Sequence, residues 1–257
     1  WGHYLDRLRL KGYLPAAPAT IPPTTLSEAE RLRLALEELG PTFVKFGQLL
    51  SVRQDLFPDD ITRELQKLQD AVAPFPSRQA HEIIELELGR PVSELFAAFD
   101  DVPLAAASIA QVHTATLPDG TAAIVKVQRP GIEQLIHADL EILFACARLL
   151  HRHVPESRRY DPLGLVEEFA DTIVKELDFR LEGHNAERFS ANFHDDPAVY
   201  VPQIFWELSA KRVLTQERST GLRQSRRAFQ QHGRDGRNRW RGGERYVQWV
   251  VGGSERR

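Results

Sequence analysis

Pro103-Leu104-Ala105-Ala106-Ala107-Ser108-Ile109-Ala110-Gln111-Val112-His113-Thr114-Ala115-Thr116-Leu117-Pro118-Asp119-Gly120-Thr121-Ala122-Ala123-Ile124-Val125-Lys126-Val127-Gln128-Arg129-Pro130-Gly131 is the stretch whose reading decides the fold. Two β-prone runs flank a Pro118-Asp119-Gly120 turn, the composition of a hairpin. Lys126 stands near the end of the second run, between Val125 and Val127, whose side chains point to the opposite face of a strand. A strand lysine facing a cleft can hold phosphate groups when an acid fixes it. A lysine on an edge strand can also simply face water, and this spacing alone does not separate the two. The loop before the hairpin carries Ala105-Ala106-Ala107-Ser108 where a phosphate loop uses glycine. Alanine does not reach positive φ cheaply, so the loop is expected to be stiff, with Ser108 as its main hydroxyl. The bland alternative is the start of an Ala-rich strand.

Working outward, Ser27 and Glu30 have the spacing of a capping box, and Leu32, Leu36 and Leu39 give the helix they open one apolar face. Gly40-Pro41 ends it, and Pro41 suits the first turn of a second helix over 42–52. Further helices are expected over 59–71, from a Ser77 cap to Gly89, over 91–99, over 131–153, and over 161–193 with interruptions. Residues 201–205 and 212–216 read as strands. Residues 1–13 suit a short amphipathic helix, and 15–23 a Pro/Ala linker. The domains expected are 1–26 (N-terminal segment and linker), 27–100 (helical extension), 101–216 (a small lobe built on the hairpin) and 217–257 (tail).

Bulk composition sets bounds. The 257 residues are 42% hydrophobic and 27% charged, as in a globular protein with a sizeable core. Formal net charge is −3, so no global field points to nucleic acid. Cys146 is the single cysteine, which excludes an internal disulfide and a cysteine-based zinc site. Its run Ile142-Leu-Phe-Ala-Cys146-Ala predicts a small buried thiol. No stretch has the length of a membrane span, and no signal-peptide pattern is present. The sequence contains no Met. The tail from Glu217 holds 11 Arg, four acidic residues and seven Gly, a net +7 against −10 for the rest. Hydrophobic periodicity stops there, so the tail is expected to be disordered or foreign to the fold.

Two further segments carry candidate chemistry. In Val44-Lys45-Phe46-Gly47-Gln48, Lys45 and Gln48 share a helix face, opposite Phe43, Phe46 and Leu50. Gly47 permits the close approach of another backbone. By spacing alone, a surface Lys and Gln on an amphipathic helix is the favoured reading. In Glu176-Leu177-Asp178-Phe179-Arg180-Leu181-Glu182, the three acids can present carboxylates along one helix. A solvated charged face is the usual meaning of such a run.

Taken together, and in this order, these segments resemble the UbiB family of atypical, protein-kinase-like proteins. Leu39-Gly40-Pro41-Thr42-Phe43-Val44-Lys45-Phe46-Gly47-Gln48 looks like the family's KxGQ segment, and Ser51-Val-Arg53-Gln-Asp55-Leu-Phe-Pro58 like the run after it. Leu68-Gln69-Asp70 and Pro74 fit as well. Ala105-Ala106-Ala107-Ser108 looks like its Ala-rich loop, Val125-Lys126-Val127-Gln128-Arg129-Pro130-Gly131 like its lysine strand, and Glu176-Leu177-Asp178 like its ExD motif. The resemblance covers about 39–216. It implies an α+β kinase-like N-lobe, a small antiparallel sheet plus helices, with family-specific N-terminal helices and the C-lobe largely absent. It implies that Ala105, Ala106, Ala107, Ser108 and Lys126 bind ATP or ADP with Mg²⁺, and that Glu182 pairs with Lys126. It implies that Lys45 pairs with Glu176, with Gln48 and Asp178 nearby. Residues 212–215 would enter a hinge that holds adenine. The implied role is ATP hydrolysis in support of ubiquinone biosynthesis. Implied partners are quinone-biosynthesis proteins or phenolic, isoprenoid lipids. The implied location is the bacterial cytoplasm, with peripheral membrane contact and no nucleic acid.

The departures lie after Gln216, where the family's HADPHPGN-like catalytic loop and DFG-like metal aspartate are expected and are not found. His137-Ala138-Asp139 has similar letters but precedes the hinge, on a helix. Arg234-Asp235-Gly236 and Asn238 lack the spacing. A frame shift or truncation near 217 would account for the tail. The chain is therefore expected to be catalytically incomplete, with an incomplete Mg²⁺ site and no metal site of its own. The competing readings are a non-catalytic, pseudokinase-like binding or scaffold module, and a nucleic-acid contact through the Arg-rich tail.

Overall fold

The computed structural model describes residues 26–69, 72–194 and 199–219. The expected helix at 1–13, the linker at 15–23, Asp70 and the tail beyond 219 lie outside them. The described residues form two compact units. One comprises 26–69 with 133–172, the other 72–132 with 173–219.

The first unit opens with α1 (Glu28–Leu39). Its capping box is formed on both sides: Glu30 N–H donates to Ser27 Oγ, and Ser27 N–H to the Glu30 carboxylate. Gly40, at φ 108°, turns the chain into α2 (Pro41–Ser51). Next comes α3 (Asp59–Leu65), shorter than the sequence predicts. Lys67 and Leu68 N–H bond back three residues, and this tighter winding ends the helix. After the first residue of α6 (Ile132–His153) the chain returns to this unit, and α7 (Pro162–Glu176) follows a 3₁₀ turn at Pro155–Tyr160. The core is apolar: Leu36, Phe43, Val44, Leu65 and Leu68 are buried, and Phe46 meets Phe169 edge-on at 5.2 Å. Thr42 donates to buried Asp139. That bond gives the third residue of His137-Ala138-Asp139 a structural role inside a helix. Around Gly47 the close neighbours are side chains, not the backbone expected: a Cβ there would stand 2.4 Å from Leu68 Cδ1 and 2.8 Å from Leu36 Cδ1.

Cys146 is exposed, contrary to the expectation of a buried thiol. The inward positions of α6 are Ile136, Leu140, Leu143 and Ala147. Cys146 lies one residue off that stripe, so an apolar run does not decide its burial; the helical period does.

The second unit contains the sheet. Helix α4 (Ser77–Leu88) begins with Ser77 as its first helical residue; Pro76 stands at the cap, and no side chain caps the end. Helix α5 is only Val92–Leu95, and Ala98–Phe99 are strand β1, not helix. There Ala97 N–H donates to Thr116 O and Asp100 N–H to Thr114 O, so cross-strand bonding wins over helical continuation. β2 is Ala105–Ala106, β3 Ala110–Thr116, β4 Ala122–Gln128 and β5 Val213–Glu217. All pairings are antiparallel, in the order β1-β3-β4-β5, with β2 also on β3. Gly120, at φ 88°, makes the hairpin turn, and Asp119 Oδ1 accepts from Thr121 N–H. The 201–205 strand reduces to one bridge, Ile204 to Gln216. Pro202 has no N–H to give a ladder.

One sheet face builds the core. Ala123, Val125, Val127 and Val213 are fully buried and pack with Ile83, Ile84, Leu95, Phe96 and Phe75. Two polar side chains share this face and are satisfied. Gln111 Oε1 accepts from Phe75 N–H at 3.1 Å, and its amide lies 2.9 Å from His113 Nε2. His113 Nδ1 lies 2.8 Å from Asp100 O. These contacts fix a neutral imidazole with the proton on Nδ1. Burial pushes the His113 pKa down.

The expected helix over 161–193 is two helices, α7 and α8 (Phe179–Asn192). Asp178 sits between them in extended conformation, and its carboxylate accepts from Arg180 N–H as an N-cap. Glu176, Asp178 and Glu182 therefore do not share one helix: the first ends α7, the second caps α8, and the third lies in α8's first turn.

Candidate functional site: a lysine held on the central strand

Lys126 lies on β4, paired on both sides by β3 and β5. Its Nζ donates to Glu182 Oε2 at 2.6 Å. The same ammonium stands 4.5 Å from the centroid of the Phe179 ring, close enough for a cation–π attraction. Glu182 and Phe179 are three apart on α8, so one helix face supplies both supports. The Lys126 side chain is only 12% exposed and that of Glu182 25%. The amine is thus held at a defined point with little freedom, the condition for binding an anion without a further ordering cost.

The helix that carries Glu182 is itself anchored. Gly183 lets Trp206 approach: a Cβ there would lie 2.7 Å from Trp206 Cη2 and 3.3 Å from Leu214 Cδ1. Trp206 Nε1 donates to Glu187 Oε1 at 2.5 Å, and the indole stacks on His184 at 4.4 Å. The turn at Trp206–Leu208 is tied to β5, since Phe205 N–H donates to Thr215 O and Thr215 Oγ1 to Leu208 O.

The Ala-rich segment is partly strand. Ala105 and Ala106 pair with Val112 and Gln111 as β2, and the turn proper is Ala107–Ile109. Ala107 N–H donates to Ala110 O across it. None of its alanines has positive φ. Ser108 is buried. Arg129 clamps the turn: its N–H donates to Ile109 O, and its Nη2 to Ala107 O at 3.3 Å and Ala73 O at 2.9 Å. The guanidinium also lies 5.3 Å from the Phe75 ring.

Lys45 and Gln48 stand on α2 in the first unit, and Gln48 Nε2 donates to Leu68 O at 3.2 Å. Glu176, half-buried, and Asp178 belong to the second. Arg180 holds the Asp178 carboxyl below the usual carboxylate range. Sequence reasoning assigned no role to Phe179, Trp206, Arg129 or Gln216. Arg129 stood inside a quoted motif. Phe179 stood inside the quoted 176–182 run, Trp206 depends on contacts from distant segments, and nothing local marks the burial of Gln216. Among the described residues no group of three His, Cys, Asp or Glu stands where it could hold a metal ion, and no helix is long and apolar enough to cross a membrane.

A small antiparallel sheet with a strand lysine tied to a helix glutamate defines a kinase-like N-lobe. Comparison with known proteins agrees. Residues 67–238 match the ABC1 atypical kinase-like domain. The chain is 52% identical over 201 residues to a probable protein kinase UbiB of Marinobacter nauticus, covering 78% of this chain and 37% of that protein. A counterpart in Cellvibrio japonicus is 46% identical over 225 residues, 85% of this chain and 41% of the relative. The solved structure of Rv3197 with erythromycin, from Mycobacterium tuberculosis, superposes with a TM-score of 0.53 at 36% identity, over 76% of this chain and 49% of that one. The chain belongs to the UbiB family of ABC1 atypical kinase-like proteins. It spans about two fifths of the length of these UbiB relatives.

Proposed function

We propose that the chain is the nucleotide-holding part of a UbiB-type atypical kinase or ATPase. Lys126 contacts the phosphates of ATP or ADP, with Glu182 and the Phe179 ring keeping its amine in place. The Ala107–Ile109 turn closes beside the phosphates, with Ser108 as its hydroxyl. The observation that carries the reading is the ion pair at 2.6 Å on a strand bonded from both sides. Surface ion pairs of long side chains rarely hold one geometry; this one is mostly buried and backed by an aromatic face.

Mg²⁺ is a hard cation that takes oxygen ligands and in such sites is shared with phosphate. Here it would bind chiefly to the nucleotide, since the described residues offer no carboxylate cluster. When bound, it would neutralise phosphate charge. Turnover by this chain is expected to be low, and binding is its measurable activity. In the whole protein, the same lobe would serve isoprenoid-quinone biosynthesis, that of ubiquinone. It would act with other quinone-biosynthesis proteins or on phenolic, isoprenoid lipids, in peripheral contact with a membrane.

The test is calorimetric titration of the full chain with ATP and ADP, with and without Mg²⁺. Lys126→Ala should weaken binding at least tenfold, about 1.4 kcal/mol or more. Equal affinity of wild type and variant would overturn the assignment.

A further inference from the structure

Gln216 is 2% exposed, and among the described residues neither Nε2 nor Oε1 of its side chain has a hydrogen-bond partner. Buried polar groups are nearly always paired, and a whole carboxamide left unpaired calls for a reason. The ladder shows which way this one points. Lys126 stands directly opposite Leu214, and Ile124 opposite Gln216. Opposed residues share a face, and so do residues two apart on a strand. Lys126, Ile124, Leu214 and Gln216 therefore project together, away from the core face of Ala123, Val125, Val127 and Val213. Gln216 is the diagonal neighbour of Lys126 across the ladder, roughly 7–8 Å between Cα atoms. Its backbone is held on both sides, by β4 and by the bridge to Ile204.

We propose that Gln216 is the base-reading residue of the nucleotide site. With the phosphates at Lys126, the ribose is the spacer and the base falls at the diagonal position. Adenine presents a donor, its N6 amino group, beside an acceptor, N7. A carboxamide matches both at once, with Oε1 accepting from N6 and Nε2 donating to N7. Guanine presents two acceptors on the same edge, O6 and N7, so Oε1 would face another oxygen. The site therefore selects adenine over guanine. Burial sharpens the choice, because a base of the wrong pattern leaves the amide unpaired away from water. The expected preference is on the order of tenfold to a hundredfold. The inference rests on the nucleotide reading and adds the side chain that recognises the base.

Four probes of the full chain separate the two claims: ATP, GTP, adenosine and inorganic tripolyphosphate. Gln216→Met removes both hydrogen-bonding atoms at similar volume. It should weaken ATP and adenosine at least tenfold, bring the ATP-to-GTP ratio close to one, and leave tripolyphosphate unchanged. Its melting temperature should not fall, since an unpaired amide is removed. Lys126→Ala should do the opposite, weakening tripolyphosphate and sparing adenosine. If Gln216→Met leaves adenosine affinity and the ATP-to-GTP ratio unchanged, the proposal is overturned. Wild-type protein that binds tripolyphosphate but not adenosine also overturns it, with the Lys126 reading intact. Adenosine binding lost in Gln216→Met, with tripolyphosphate indifferent to Lys126→Ala, would support Gln216 and reject the phosphate role. Binding of none of the four would reject both.

Discussion

Gly183→Ala places a methyl group where the structure has Trp206. The new Cβ would stand 2.7 Å from Cη2, 3.2 Å from Cζ2 and 3.3 Å from Leu214 Cδ1. Carbon atoms at rest are about 3.5–4.0 Å apart, so the indole must retreat by on the order of 1 Å. It is poorly placed to do so, because Nε1 is bonded to Glu187 and the ring is stacked on His184. Overpacking of this kind costs about 1–3 kcal/mol. Replacing glycine inside a helix returns about 1 kcal/mol. The net expectation is a loss of up to about 2 kcal/mol, read as a lower urea midpoint and a melting temperature lower by up to about 8 °C. The strain also bears on function, since Glu182 is the adjacent residue. A displaced α8 exposes the Lys126 amine, so acylation of Lys126, followed by peptide mass spectrometry, should speed up severalfold. Trp206→Phe lacks the outermost ring atoms and should restore much of the loss in the Gly183→Ala background, a coupling that independent sites do not show. A Gly183→Ala protein that gains about 1 kcal/mol, with Lys126 no more reactive, would refute the reasoning, for then helix propensity alone would be at work.

Two other outcomes are expected. His113 is neutral when folded and its pKa is depressed by burial, so the unfolded chain takes up the proton first. Stability should hold above about pH 6.5 and fall as pH drops from there, by a margin set by the depression. Urea midpoints at pH 7.5 and 5.0 should differ for wild type, and the His113 share of the difference should vanish in His113→Gln; equal slopes in the two proteins would count against it. Exposed Cys146 should react with a maleimide in the native protein nearly as fast as in urea; protection beyond about a hundredfold would contradict its position on α6.

What was legible in the sequence was mostly local. The Ser27–Glu30 box and the hairpin around Gly120 rest on contacts between near neighbours, so residue type and spacing suffice to find them. The antiparallel sheet with helices around it followed from the hairpin and from the resemblance together. The ion pair between Lys126 and Glu182 joins residues far apart in sequence, and only the ordered motif set suggested it. Composition misled where geometry decides. The run 176–182 has helical character throughout, yet Asp178 finds more by capping α8 than by staying inside one helix. Phe99 sits in a helix-like stretch, but the open edge of β3 recruits it. Gly47 was read as room for a backbone, and leucine methyl groups fill that room. The unpaired amide of Gln216 could not be seen at all, because the absence of a partner is a property of the folded neighbourhood.

Strand β5 has a consequence for biosynthesis. Residues 110–128 can fold back on themselves as soon as they are synthesised, but β4 then keeps one open flank until residues 213–217 leave the ribosome and zip onto it. Throughout that interval the nascent chain shows an unpaired row of amides beside Val125 and Val127, the kind of flank on which strands of other chains can add. Elongation speed over the intervening helices, and chaperone cover for that flank, should therefore govern how much of the protein is recovered soluble.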